Sequence, residues 1–198
     1  MKLQKTDYFK ALMAGVAIGV ANVTTFKVEN IYIMSFLYSF YALVILKFDL
    51  KLFTSQVGFW VFHAGAYIEM IILNFIGATI PVLIMTRDDS AKIIERAMEA
   101  KYSEPPLVLF GFALMCGIVI HVGYETRDKL LIIIAVMLII NGDLRHCVID
   151  FPAILYIMKV EYFAKLLIVI LGNVAGASLI HYINIHSGIT ESIYKKKQ

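Results

Sequence analysis

Long apolar runs alternate with short charged clusters along the chain. Four of the runs contain at most one or two ionisable residues, and they are Phe9 to Phe26, Ala66 to Met85, Leu107 to Tyr124 and Phe163 to Ile183. The hydrocarbon core of a bilayer is about 30 Å thick and is spanned by about 20 helical residues. The pattern therefore predicts these runs as transmembrane helices 1, 3, 4 and 6.

Two further apolar runs are interrupted by polar residues. Ile31 to Leu46 stops at residues 47–51, and Leu130 to Ile140 stops at residues 141–145, and both resume afterwards. Irregular backbone at membrane depth is tolerated only where protein or a water-filled cavity satisfies its N–H and C=O groups. The pattern predicts broken helices 2 and 5, and the breaks indicate a solute pathway.

The two halves of the chain repeat each other. The pattern N-x-x-G-A-[ST] occurs at Asn74 to Thr79 and at Asn173 to Ser178, and Gly19 and Gly117 are offset by nearly the same interval. Each half has three spans with the break in its second span, and an odd number of spans inverts the second copy. Paired broken helices in inverted repeats place a solute site near the bilayer midplane.

These patterns predict an all-α membrane protein, a single transmembrane channel domain over 1–198 with six transmembrane helices in an aquaporin-like inverted 3+3 repeat. Repeat one covers about 9–86 and repeat two about 106–184. Between them, the segment 87–101 has an apolar helical face, and Asp89 or Ser90 can cap its start. We expect a short interfacial helix over about 89–101.

Charge and composition narrow the class of protein. Hydrophobic residues make up 60% of the chain and the mean hydropathy is +0.79, which is too apolar for a soluble domain. The net charge is +3, with lysines at the termini and between apolar runs, so no nucleic-acid partner is expected. The positive-inside rule favours cytoplasmic termini in a multi-pass protein of the cell (inner) membrane.

Neither catalysis nor a cofactor is indicated by the sequence. The first apolar run is too long for a signal peptide and lacks its cleavage site, so we expect it to remain as a helix. No H-E-x-x-H, G-x-S-x-G, Walker or G-x-G-x-x-G motif supports an enzyme. Cys116 and Cys147 are expected to be free, buried thiols.

The first interruption ends in Leu52-Phe53-Thr54-Ser55. A Phe can plug a narrow pore, and hydroxyl groups can replace the water around a passing solute. The alternative is that Phe53 packs in the core and that the hydroxyls bond back to their own helix.

The second interruption ends in Arg145, His146 and, one turn later, Asp150. Ionisable residues at membrane depth are costly, so a function is the default hypothesis. His146 can exchange a proton near physiological pH, or it can be a core histidine bonded to a carbonyl. A metal site at His146, Cys147 and Asp150 lacks a second ligand cluster, because the other histidines show no ligand spacing. These are His63, His121, His181 and His186.

Several motifs together resemble the formate/nitrite transporter family over nearly the whole chain. Leu52 to Ser55 is similar to the family's L-F-T-[SG] loop, and Gly142 to Asp150 is similar to its G-F-E-H-[SC]-[IV]-A-[ND] segment. Ala97 to Lys101 resembles its A-x-x-x-K stretch, and Cys116-Gly117 resembles its C-[NG] pair. The resemblance implies an aquaporin-like fold and a homopentamer in the lipid bilayer, with one pore per protomer.

The resemblance also implies a channel for small monovalent anions such as formate, nitrite, hydrosulfide or a short monocarboxylate. Lys101 would attract the anion, His146 would sit in mid-pore facing Thr54, and Phe53 would form the cytoplasmic constriction. The full set of implied pore residues is Leu52, Phe53, Thr54, Lys101, Gly117, Arg145, His146 and Asp150.

This chain departs from the family pattern at the second interruption and in helix 4. Arg145 stands where the family usually has Glu, Asp143-Leu144 lengthens the interruption by one residue, and Gly117 replaces a frequent Asn. Replacing Glu by Arg reverses a local charge, which leaves the substrate open. The alternatives are an aquaporin-like channel for neutral solutes and a non-transporting membrane scaffold or sensor.

Overall fold

The computed structural model describes residues 1–25, 28–85 and 88–187, and the regular structure in these ranges is helical. Some of the basic residues on which the predicted orientation depends lie outside these ranges, namely Lys27, Arg87 and Lys195 to Lys197. The helices are α1 (Lys5–Thr25), α2 (Ile31–Lys47), α3 (Phe53–Gln56), α4 (Ala64–Met85), α5 (Asp88–Tyr102), α6 (Pro106–Thr126), α7 (Lys129–Asn141), α8 (Cys147–Ile157) and α9 (Val160–His186), with a 3-10 turn (Val57–Phe59) after α3. The all-α prediction is confirmed.

Within the described ranges, four helices are long and apolar enough to cross a membrane. They are α1, α4, α6 and α9, with 21 to 27 residues each, and they coincide with the four uninterrupted runs of the sequence. Only 33% to 44% of each spanning window is buried inside the chain. Most of these apolar surfaces therefore face outward, as expected of a membrane protein.

The long helices pack in two pairs, α1 with α4 and α6 with α9, through glycines that let the backbones touch. A Cβ at Gly15 would overlap the carbonyl oxygen of Asn74, and a Cβ at Gly117 would overlap that of Asn173. Gly15 is thus the counterpart of Gly117. The sequence pairing of Gly19 with Gly117 is wrong by one turn, because Gly19 lies against the backbone of Ala78.

Two unwound segments separate the short helices. We call residues 48–52 the first break, between α2 and α3, and residues 142–146 the second break, between α7 and α8. Both lie one residue later than the sequence pattern indicated, because α2 includes Lys47 and α7 includes Asn141.

Both breaks begin with the same helix ending. Leu50 N–H donates to Ile45 O and Leu144 N–H donates to Ile139 O, each over 2.9 Å. The residue before each donor has a left-handed backbone, with φ of 48° at Asp49 and 49° at Asp143. This is the Schellman arrangement, in which a left-handed residue closes the last helical turn.

The molecule has two ends, which we name the terminal end and the α5 end. At the terminal end, the amino group of Met1 donates to Val61 O over 3.1 Å. At the α5 end, Lys159 pairs with Glu99 of α5 over 2.7 Å. The helix α5 extends from Asp88 to Tyr102, where an interfacial helix over about 89–101 is expected. Its position at a membrane surface stays a prediction, and the side chains of 88–93 lie outside the described residues.

Candidate functional site at the two helix breaks

Asn74 of α4 holds the first break together. Its Nδ2 donates to Ala11 O over 2.7 Å and to Lys51 O over 3.0 Å. Its Oδ1 accepts from Phe53 N–H over 2.7 Å. The side chain is fully buried, so one amide supplies partners for backbone groups that the helix break leaves open.

Asn173 of α9 does the same for the second break. Its Nδ2 donates to Ala113 O and to Arg145 O, each over 2.8 Å. Its Oδ1 accepts from Cys147 N–H over 3.0 Å. The Asn of the repeated sequence motif is therefore the residue that makes a break possible in each half.

His146 connects the two breaks. As the N-cap of α8, its Nδ1 accepts from Ile149 N–H over 3.3 Å. In the neutral ring the proton is then on Nε2, which lies 2.9 Å from Thr54 Oγ1. The imidazole N–H donates to the hydroxyl of the opposite half-helix, so the amino ends of α3 and α8 meet at this hydrogen bond.

A small central cavity lies beside His146. Its volume is about 20 Å³, which is room for about one water molecule. Its lining is apolar apart from His146 and the two tyrosines: Ile18, Tyr38, Ala42, Ile45, Leu52, Ile120, Tyr124, Val136, Ile139, His146 and Ile149.

Larger cavities adjoin the central cavity on both sides. The α5-end cavity, of about 290 Å³, shares Tyr38, Ile139 and Ile149 with it. The terminal-end cavity, of about 180 Å³, shares Ile45 and Tyr124 with it. The three cavities therefore adjoin one another, with the smallest of them, beside His146, in the middle.

Two cations and two carboxylates form a charge cluster at the α5-end cavity. Lys101 Nζ lies 3.2 Å from Asp150 Oδ1 and 3.7 Å from Asp143 Oδ1. Arg145 Nη1 lies 2.9 Å from Asp143 Oδ1, and Tyr102 OH donates to Asp150 Oδ2 over 3.3 Å. With two charges of each sign, the cluster is neutral as a whole.

The sequence suggests that Arg145, in place of Glu, reverses the charge of this region. In the structure Arg145 does not do so. It is buried, with 2% of its surface exposed, and it pairs with Asp143, a residue of the lengthened break. Arg145 is the counterpart of Lys51, which lies 3.0 Å from Asp49. The repeated Asp-Leu-Lys and Asp-Leu-Arg triplets at 49–51 and 143–145 are the sequence signal for this correspondence.

The predicted pore residues lie in different parts of the molecule. Leu52 and His146 line the central cavity, and Lys101 and Asp150 line the α5-end cavity. Thr54 lines neither of these cavities but is hydrogen-bonded to His146. Phe53, Arg145 and Gly117 line none of the cavities described above.

Phe53 is 4% exposed and its ring meets that of Tyr67 edge to face, with centroids 6.4 Å apart. Gly117 belongs to the contact between α6 and α9. The constriction assigned to Phe53 and the pore role of Gly117 stay predictions.

Sequence reasoning missed a polar contact beside the central cavity. Tyr38 OH donates to Asn22 Oδ1 over 2.8 Å, and Asn22 Nδ2 donates to Ile149 O over 3.1 Å. Both side chains are buried. A lone Asn in an apolar helix was the available signal, since such a side chain needs a partner away from lipid.

Comparison with solved structures shows the fold. The chain superposes on a protein described as a pentameric formate channel with formate bound, with a TM-score of 0.71, 18% identity, and coverage of 93% of this chain and 96% of that chain. At this identity the likeness concerns the fold. No protein-family model matches the chain, and a search of curated proteins finds no significant match.

Proposed function

We propose that the chain is a membrane channel for small monovalent anions, such as formate, nitrite or hydrosulfide, in which the solute passes His146 with a proton. The observation that carries the proposal is the bond between His146 and Thr54. It lies where two half-helices meet, in a fold shared with a formate channel.

The central cavity explains why a proton is needed. An unpaired anion pays several kcal/mol or more to enter a dry apolar space, and the central cavity is lined mainly by aliphatic side chains. A weak-acid anion that gains a proton becomes neutral and avoids this cost. His146 Nε2–H then donates to the solute oxygen in place of Thr54, and the hydroxyl of Thr54 becomes available as a second donor.

Two features attract the anion before this step. Lys101 lines the α5-end cavity and keeps 25% of its side-chain surface exposed, so it can meet an incoming anion. The amino end of α8 begins at Cys147 beside the central cavity, and a helix amino end carries a partial positive charge. Both raise the anion concentration next to His146.

The proposal includes the topology and the assembly. Together α2 and α3 count as one crossing, and so do α7 and α8, which gives six crossings in an aquaporin-like inverted 3+3 repeat. The termini then lie on the same side, which is the cytoplasmic side of the cell (inner) membrane by the distribution of lysines. The outward apolar surfaces contact lipid and neighbouring copies in a homopentamer. The protein acts in transport rather than catalysis.

Uptake into proteoliposomes tests the proposal. Purified chain in vesicles with an internal pH dye should take up formate, nitrite or hydrosulfide down a gradient, with a pH change inside that accompanies the anion. His146→Ala should alter the pH dependence of uptake, whereas His186→Ala, an exposed histidine of α9, serves as the matched control. If none of the three anions enters faster than into empty vesicles, the substrate class is wrong.

A second candidate function is a channel for neutral small solutes. The equal number of positive and negative charges in the charge cluster favours this second function, because each cation there already has a carboxylate partner within 4 Å. Competition assays separate the candidates. If glycerol or ammonia enters and excess formate does not slow its entry, the neutral-solute function replaces the anion channel.

A further inference from the structure

A second buried polar group lies at the terminal end, between α6 and α9. We name His121, Glu125 and His181 the histidine cluster. His121 and Glu125 are one turn apart on α6, and His181 faces them from α9. His121 Nε2 lies 3.7 Å from Glu125 Oε2, and His181 Nδ1 lies 3.5 Å from Glu125 Oε1. The sequence shows no ligand spacing for these histidines, because α9 supplies the third side chain.

The cluster leaves buried polar atoms without hydrogen bonds. The three residues are 0%, 5% and 9% exposed, in the order His121, Glu125, His181. Within the described part of the chain, four side-chain atoms of the cluster have no hydrogen-bond partner. They are Nδ1 and Nε2 of His121, Oε1 of Glu125 and Nδ1 of His181. A buried polar atom without a hydrogen bond is destabilising, so a further ligand would stabilise this arrangement.

The geometry of the cluster suits a metal ion. One ligand atom from each residue can be chosen so that all three lie within 4.8 Å of one another. Bonds of about 2.0–2.2 Å in a tetrahedron place ligands about 3.4 Å apart, so ligand atoms within 4.8 Å of one another need to approach by about 1.4 Å at most. Two imidazoles and one carboxylate are the ligand set of zinc sites that keep a fourth position open.

The surroundings also fit such a site. Asn184 donates to Glu125 Oε2, which orients the carboxylate as an outer-shell partner does. Glu125 also lines the terminal-end cavity, which offers a route for the ion and a water for the fourth position. The ring of Phe59, which also lines this cavity, lies tilted against that of His121 with centroids 4.6 Å apart.

We infer that His121, Glu125 and His181 bind one divalent cation of the zinc class, with water as fourth ligand. The ion joins α6 to α9, and the 3-10 turn that follows α3 packs against its ligand His121. This inference does not depend on which solute the protein transports.

Cobalt spectroscopy tests the inference directly. The full chain is purified without a histidine tag, stripped with a chelator, and titrated with Co²⁺ in detergent micelles. We expect one Co²⁺ per chain with the visible absorption of a four-coordinate ion, displaced by one equivalent of Zn²⁺, and a melting temperature raised by Zn²⁺ through preferential binding to the folded state.

Variants assign the ligands. Glu125→Gln keeps the side-chain shape and should weaken Zn²⁺ binding at least tenfold, as should His121→Ala and His181→Ala. His186→Ala, on the exposed side of α9, should bind as the wild type does. The inference is overturned if the wild type shows no four-coordinate Co²⁺ spectrum, or if Glu125→Gln binds Zn²⁺ as tightly as His186→Ala. The wild-type spectrum decides even where a histidine variant does not fold.

Discussion

In the first break, α2 ends in a Schellman turn at Asp49, and Asn74 ties the unwound segment to α1. In the second break, α7 ends in the same turn at Asp143, and Asn173 ties the segment to α6. The backbone arrangement is thus shared down to individual hydrogen bonds. The side chains at the amino ends of the two half-helices are not shared.

The difference is concentrated at the N-cap position. Leu52 precedes α3 and makes no side-chain capping bond, whereas His146 precedes α8 and caps it through Nδ1. Both residues line the central cavity. The comparison teaches that the two halves share the Asn bridges of the fold, whereas the proposed function relies on one position that differs between the repeats. Substitutions of the two Asn residues and of the two N-cap residues test this difference.

The largest effect is expected from removing the Asn bridges. Asn74→Ala and Asn173→Ala each leave two backbone groups of a break without a partner and remove a further bond to a carbonyl of the neighbouring helix, which should lower the free energy of unfolding by about 3–5 kcal/mol. Reversible unfolding of the chain in mixed micelles measures this. Asn141→Ala, which loses one bond to Ser35, should cost much less. Unequal costs for Asn74 and Asn173 would show that the two halves are not equivalent in stability.

A smaller and again symmetrical loss is expected at the close helix contacts. Gly15→Ala and Gly117→Ala each force a methyl group into the backbone of the paired helix, which should cost about 2 kcal/mol. Gly111→Ala is the matched control, since nothing lies within 4 Å of its added Cβ. Its stability should be unchanged or slightly higher. A neutral Gly15→Ala would refute the tight contact between α1 and α4.

Unlike stability, transport should respond differently to substitutions in the two breaks. His146→Leu places in the second break the residue that the first break already has, and it removes the donor to Thr54. Formate uptake should fall about tenfold, equivalent to about 1.4 kcal/mol. Leu52→Met, a change of similar volume in the opposite break, should retain uptake. Equal losses in the two variants would mean that packing around the central cavity, rather than the imidazole, controls transport.

The smallest effect is expected from replacing the lysines that line the α5-end cavity and the terminal-end cavity. Lys101→Met should raise the half-saturation concentration of the anion about threefold at low salt, and the difference should shrink at high salt because of screening. Lys51→Met tests the terminal-end cavity in the same way. Lys51 is only 15% exposed, so its effect should be the weaker one. A larger effect for Lys51 would reverse the assigned order of anion attraction.

Much of the fold could be predicted from local patterns. Length and hydropathy identify α1, α4, α6 and α9, because a bilayer sets the length of a helix that crosses it. The breaks were visible as charged residues inside apolar runs. The motif Asn-x-x-Gly-Ala marks the bridges, but the matching of glycines needed the structure, since a one-turn shift leaves the apolar pattern unchanged.

The contact between Thr54 and His146 was expected from motifs, although the two residues are 92 positions apart in the chain. The pairing of Arg145 with Asp143 was not, although only one residue separates them, because it depends on the left-handed turn at Asp143. The histidine cluster was missed because Glu125 and His181 belong to different helices, and no local spacing connects them.

The Asn bridges also impose an order of events during synthesis. The first break leaves the ribosome before Asn74, the side chain that satisfies it, and the second break likewise precedes Asn173. Each unwound segment must therefore remain in a wet or protein-lined environment, such as the insertion machinery, until its partner helix arrives. The bonds of Asn74 can then form before the second half is synthesised, whereas those of Asn173 require α9.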